Sequence, residues 1–231
     1  MVIGVFDSGV GGFNSVPYLQ RAFPLIDIAY LADRKNAPYG TKSEDELVYL
    51  VGRCIDRLSS FGAERVLIAC CTASTVWDRL TPEQRQISMP IIPCVESAFS
   101  GYEKFVLVIA TERTVASGEF ERVIRKRCNN ARIVQVPMQG LVKAVENGAR
   151  ISDMAGETQR EIGKIRRLAE LYNPDALVLG CTHFSSVAEL IANAAPMARI
   201  VNPACIGANA MVEKIINQEI NTRELGRLIY M

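Results

Sequence analysis

Two short stretches place a reactive side chain in the same setting. Val66-Leu-Ile-Ala-Cys70 runs into Cys71-Thr72, and Leu177-Val-Leu-Gly-Cys181 runs into Thr182-His183. In each, a buried-looking apolar run closes on a cysteine and a threonine opens the turn that follows. A helix N-terminus lowers the pKa of a thiol and makes thiolate available. One such cysteine suggests a nucleophile. Two, in corresponding halves of the chain, suit a two-base proton exchange across a cleft, one taking a proton from one face of a carbon while the other delivers to the opposite face. A redox pair and plain apolar filler are the other readings of the same residues, and filler is the reading for Cys54, Cys94, Cys128 and Cys205. His183 is the only histidine, and its place two residues beyond Cys181 suits tuning a thiol or protonating a substrate group. Asp7, Asp33 and Glu146 are carboxylates near expected strand ends or in the loop-rich second half. Asp7, directly after an apolar run, is the least ordinary of them. It opens the turn Asp7-Ser8-Gly9-Val10-Gly11-Gly12, which matches neither GxGxxG nor GxxxxGK[ST] and gives no support for a nucleotide phosphate cradle. That turn reads either as a tight strand-to-helix connection or as exposed amides able to bind a carboxylate.

The elements that must hold these residues follow from the apolar pattern. Short, mostly β-branched runs at Val2–Phe6, Ile26–Ala32, Val66–Cys70, Met89–Pro93, Phe105–Thr111, Arg132–Pro137, Ala176–Cys181 and Ala198–Asn202 predict strands buried on both faces of parallel sheets. Helical spacing between them, as over Ser43 to Phe61 with a Ser43/Glu46 capping box and over Ser152–Leu171, predicts an α/β fold with right-handed crossovers. Eight strands divide into two similar domains of four mostly parallel strands each, with the seam at Ser100–Lys104. The expected boundaries are 1–98, with the C-terminal segment 206–231 returning to it, and 99–205. In such sheets ligands sit at the carboxyl ends of the strands, which is where Asp7, Asp33, Cys70 and Cys181 fall.

Composition narrows the classes. The chain has 231 residues with 26 Lys+Arg against 25 Asp+Glu, a net charge of +1, so no bulk field draws it to nucleic acid or an anionic membrane. No apolar run approaches the roughly 18 residues of a membrane span. Seven cysteines, an odd number, with no CxxC pair, argue against a disulfide framework or a ready zinc site. The start MVIGVFDSG shows no secretion signal, so the expected location is the cytoplasm.

Taken together, the stretches IGVFDSGVGGF at 3–13, YLADRKNAPYGTKS at 30–43, VLIACCTAS at 66–74, VIATERTVASGEF at 108–120 and ALVLGCTHFSSV at 176–187 resemble the cofactor-independent aspartate/glutamate racemase family, its glutamate branch most of all. The resemblance implies two α/β domains with the active site between them, and inversion of the α-carbon of glutamate without pyridoxal phosphate or metal, supplying D-glutamate for peptidoglycan. It implies Cys70 and Cys181 as the acid/base thiols, Asp7 and His183 as their auxiliaries, and Asp33 and Glu146 as weaker helpers. Substrate would be held by Asp7, Ser8, Tyr39, Gly40, Cys71, Thr72, Thr182 and His183, and the assembly would be a homodimer. Cys71 departs from the ACNTAS usual in the family. A thiol is a poorer hydrogen-bond partner than an amide, which keeps a racemase of aspartate or another amino acid, or a weakly active paralogue with a binding role, in view.

Overall fold

The computed structural model describes residues 1–146, 155–217 and 227–231. Nine strands make two parallel sheets. The strands are β1 (Val2–Asp7), β2 (Asp27–Ala32), β3 (Ala63–Ile68), β4 (Ser88–Pro90), β5 (Phe105–Ala110), β6 (Arg132–Pro137), β7 (Ala176–Gly180), β8 (Arg199–Val201) and β9 (Leu228–Tyr230). The first sheet has the order β4-β3-β1-β2-β9 and the second β6-β5-β7-β8. Every pairing is parallel, as short strands joined by helical crossovers require.

The first sheet therefore has five strands where four are expected. The fifth, β9, is too short to show a strand pattern, and it pairs with β2 from the far end of the sequence. Its Tyr230 ring lies 5.6 Å from that of Tyr30, which gives the added edge an aromatic anchor. The helix Pro203–Ile216 also returns, packing on helices Ile91–Cys94 and Val16–Ala22. It begins earlier than its apolar pattern suggests, because Asn202 caps it and Pro203 stands in its first turn. Met89–Pro93 likewise splits: the strand ends at Pro90 and a short helix starts at Ile91.

Elsewhere local chemistry sets the elements as expected. Ser43 accepts from the Glu46 amide while Glu46 reaches back to Ser43, a full capping box for helix Glu44–Ser60. That helix buries Leu47, Val51, Cys54, Ile55 and Leu58 against the first sheet. Helix Ala155–Tyr172 covers the second sheet through Ile165; the expected start of this helix at 152–154 lies outside the described residues. A third apolar cluster is continuous from Ile3, Val5 and Leu67 to Val106, Val108 and Val178, so the two sheets share one core rather than touching at a wet seam.

Candidate active site

The carboxyl ends of β1, β3, β5 and β7 converge. Two residues beyond β3, Cys70 stands as the cap of the short helix Cys71–Ser74, and its Sγ accepts from the Ala73 amide at 3.5 Å. Ser8 Oγ, just after β1, lies 3.4 Å from the same sulfur. Directly beyond β7, Cys181 opens a 3-10 helical turn, Thr182–Val187, and its Sγ lies 3.5 Å from His183 Nδ1. Both thiols line one cavity together with Ser8, Tyr39, Gly40, Cys71, Thr72, Thr182 and His183. The cavity is closed to about 20 Å³, room for one or two water molecules. Cys70 and Cys181 are both buried, and all seven cysteines are free thiols.

Asp7 stands behind this wall rather than in it. It is fully buried, accepts from the Gly9 amide at 2.6 Å, and accepts from the Thr182 hydroxyl, which comes from the other half, at 3.0 Å. Burial raises its pKa above the ordinary carboxylate value; the nearby His183 and the Gly9, Thr182 and Gly12 hydrogen bonds act the other way. Burial also pushes the Cys70 thiol up to about 12, with the Asp7 charge adding to the rise and the Ser8 and Ala73 donors opposing it. Cys71 goes well above its ordinary value, chiefly by burial and then through Cys181 and Cys70. The cleft is dry enough that a thiolate needs donors built around it.

The glycine-rich turn is a tight strand-to-helix connection, leading from β1 into the 3-10 helix Gly11–Ser15 and the helix Val16–Ala22. A Cβ on Gly11 would lie 2.6 Å from the His183 backbone nitrogen, and one on Gly12 would lie 2.6 Å from Asp7 Cβ. Gly11 lets the first half seat directly on the Thr182-His183 turn, Gly12 lets the turn close on Asp7, and neither lines the cavity. The amides of this turn aimed at a carboxylate, Gly9 and Gly12, both meet the protein's own Asp7.

Asp33 also sits outside the cavity, partly exposed at the end of β2. It accepts from the Tyr39 hydroxyl at 2.7 Å and from Asn36 Nδ2 at 2.9 Å, so it positions Tyr39 and reaches no thiol. Glu146 ends the helix Gln139–Glu146, and its side chain lies outside the described residues.

Four lining residues, Pro38, Thr111, Gln139 and Val142, escape the sequence reading. Thr111 follows β5, and its hydroxyl meets that of Thr72 at 3.1 Å and that of Thr114 at 2.8 Å. Thr72 also meets Thr114 at 3.1 Å, so three hydroxyls tie the halves together beside the thiols. The rule of strand carboxyl ends, applied to β5 and β6 as it was to β1 and β3, finds Thr111 and Gln139.

Two parallel α/β halves with a closed, thiol-lined cleft between them define an enzyme of two-domain α/β architecture. The chain belongs to the Asp/Glu/Hydantoin racemase family, whose model matches residues 20–211, and it is a racemase. It is 33% identical over 222 residues to the glutamate racemase of Caulobacter sp. (strain K31), covering 85% of this chain and 78% of that one. A crystal structure of glutamate racemase from Francisella tularensis in complex with D-glutamate superposes with a TM-score of 0.81 at 26% identity, over 99% of this chain and 86% of that one. The glutamate racemase isoform RacE1 of Bacillus anthracis shares the fold at a TM-score of 0.86 and 24% identity, over 99% and 87% of the two chains.

Proposed function

We propose that the chain interconverts L- and D-glutamate by a two-thiol exchange between Cys70 and Cys181. The observation that carries this reading is that one thiol from each half lines a single buried cavity. One sulfur, as thiolate, takes the α-proton; the other, as thiol, delivers a proton to the opposite face. Each turnover leaves the two sulfurs with their protonation states exchanged, and the reverse reaction restores them. The α-carboxylate gains charge as the proton leaves, and the Ser8 and Thr72 hydroxyls supply preorganised donors for it in a water-poor site, while the protons of Thr111 and Thr182 go to Thr114 and Asp7. His183 beside Cys181, and Ser8 with the Ala73 amide beside Cys70, hold the two sulfurs ready. Asp7 orders the turn of the opposite half, and Asp33 holds Tyr39. Closure of the halves around bound substrate would expel water from this narrow cleft.

The relatives' names support glutamate as substrate, and D-glutamate for peptidoglycan is the corresponding role. Among the described residues no helix is long and apolar enough to cross a membrane; a cytoplasmic location, a homodimer, and domains at 1–98 with 206–231 and at 99–205 complete the proposal. Light scattering checks the dimer, at twice the 25.4 kDa of the chain.

The decisive experiment is α-proton exchange followed by NMR in deuterated water, with L-glutamate and L-aspartate in separate tubes and no added cofactor. Loss of the glutamate α-proton signal with appearance of the D-enantiomer is the expected result. Exchange of aspartate alone moves the substrate and makes Cys71 the residue to revert to asparagine. Activity only with added pyridoxal phosphate overturns the two-thiol reading.

A further inference from the structure

We propose that Gln139 fixes the substrate's α-ammonium group and thereby sets the α-carbon between the two thiols. This rests on the reading of the cleft as an amino-acid racemase site. Gln139 opens the helix Gln139–Glu146 just after β6 and lines the cavity with Cys71, Thr111 and Cys181. Its Oε1 is buried and has no hydrogen-bond partner among the described residues. Buried carbonyl oxygens are nearly always satisfied, because leaving one unpaired is costly. An unpaired one on the wall of a reaction cleft is an acceptor awaiting a donor.

The surroundings hold it there. A Cβ on Gly40 would lie 3.5 Å from this oxygen and 3.1 Å from Thr111 Cβ. Glycine at position 40 thus lets the first half pack closely on Thr111 and lie beside this oxygen across the junction of the halves. Behind the chain, a Cβ on Gly140 would meet Glu161 Oε1 at 2.8 Å. Glu161 is buried and pairs with Lys164, filling the space at the back of the helix start.

Charge and donor count say which group it meets. At neutral pH an acidic amino acid presents carboxylates, which accept, and one ammonium, which only donates. The hydroxyls of Ser8 and Thr72 can donate to carboxylates, while those of Thr111 and Thr182 already donate to Thr114 and Asp7. Among the described residues no Asp, Glu, Lys or Arg lines the cavity, and of the described lining residues only Gln139 carries a side-chain carbonyl. Cys71, on the facing wall, offers a neutral thiol, a weak partner for an ammonium. The hydroxyls of the wall also have lone pairs, but each already shares in a hydrogen bond; Gln139 Oε1 is the buried lining acceptor with no donor among the described residues, and the ammonium is assigned to it.

The test compares the unaltered chain with Gln139→Leu and Gln139→Glu. KM and kcat for both glutamate enantiomers, inhibition by glutarate, and the melting temperature are read for each. Glutarate has both carboxylates and no ammonium. Gln139→Leu is expected to raise KM about tenfold or more, about 1.4 kcal/mol per tenfold. Glutarate inhibition should stay within about twofold, on the same conversion. The melting temperature should not fall, since an unpaired buried oxygen has been removed. Gln139→Glu keeps an acceptor and should hold KM below that of Gln139→Leu. A KM unmoved in Gln139→Leu overturns the assignment, as does glutarate binding that weakens in step with glutamate. A KM for Gln139→Glu above that for Gln139→Leu shows an amide that donates to a carboxylate, and also overturns it. An unaltered chain that exchanges neither glutamate nor aspartate fails the racemase reading itself, a result distinct from a working racemase indifferent to position 139.

Discussion

Cys70 and Cys181 occupy equivalent places in the two sheets and are served by different chemistry. In the first sheet β1 is flanked by β2 and β3, with β4 outside β3; in the second β5 is flanked by β6 and β7, with β8 outside β7. Each thiol follows the strand on the same side of the central one. Yet Cys70 caps a helix and draws on fixed donors, the Ala73 amide and the Ser8 hydroxyl. Cys181 opens a 3-10 turn without a side-chain cap and draws on an imidazole. Topology places a sulfur at each strand end, but the local turn decides whether its partner is a permanent dipole or a group that can itself carry a proton. A reaction that runs in both directions needs both sulfurs competent, and nothing requires that they be made so in the same way.

The largest effect tests whether the two positions face opposite sides of one carbon. Cys70→Ser and Cys181→Ser should each lower racemisation by about 10²–10⁴-fold, the usual range for a positioned acid or base. The remaining thiol still reaches one face. Each variant should therefore exchange the α-proton of one enantiomer in deuterated water with retention, and the two variants should choose opposite enantiomers. If both exchange the same enantiomer, the sulfurs do not oppose one another and the comparison breaks.

A smaller effect separates the two kinds of partner. Ser8→Ala removes a donor that holds the Cys70 pKa down, so kcat should fall roughly tenfold, about the worth of one hydrogen bond to a charged group, and the limb of the pH–rate curve set by Cys70 should move to higher pH. His183→Gln takes away the imidazole beside Cys181. Its rate loss should be of the same order. Steady-state kinetics between about pH 6 and 10 reads both. Identical profiles for the two variants would make the imidazole and the hydroxyl interchangeable.

The same contrast explains how much was readable in advance. The strands and the capped helix Glu44–Ser60 are local: β-branched runs and a Ser43/Glu46 pair announce them. Cys70 and Cys181 stand out because both follow buried runs and both precede threonines. Asp7 reads from sequence as an auxiliary to Cys70, but its hydroxyl partner is Thr182, 175 residues away, and no local pattern encodes that pairing. Asp33 fits the strand-end rule and still misses the cavity, because Tyr39, six residues on, turns its hydroxyl back to it and lines the cleft in its place. Thr111 and Gln139 lie at the ends of β5 and β6, where nothing in residue type alone marks them. The fifth strand of the first sheet is three residues long, below the length at which alternation or apolar run can be read.

The smallest expected effect concerns the carboxylate that joins the two thiol environments. Asp7 accepts from Gly9 at 2.6 Å and from Thr182 at 3.0 Å, and an asparagine oxygen can keep one or both bonds. Burial raises the Asp7 pKa above 3.8. The folded state therefore holds this proton more tightly than the unfolded state does. That contribution to stability is fully present below about pH 3.8, the unfolded value, and is lost as pH rises through the higher folded value. At neutral pH, well above the unfolded value, burying this carboxyl is therefore a net cost that Asp7→Asn removes. The variant should melt higher than its parent at pH 7, by a few degrees, since about 1 kcal/mol moves Tm by ~2–4 °C at this chain length. The advantage should shrink as pH is lowered through the folded pKa. Racemisation should fall at the same time, because the charge between the halves faces His183 and the thiols, and a site tuned for proton transfer gives up stability to hold it. Calorimetry at pH 7 and pH 4 on both proteins reads the sign. A variant that melts lower at pH 7 would mean that Asp7 is held ionised by its neighbours at no net cost, and the tie between the two halves would then be structural first.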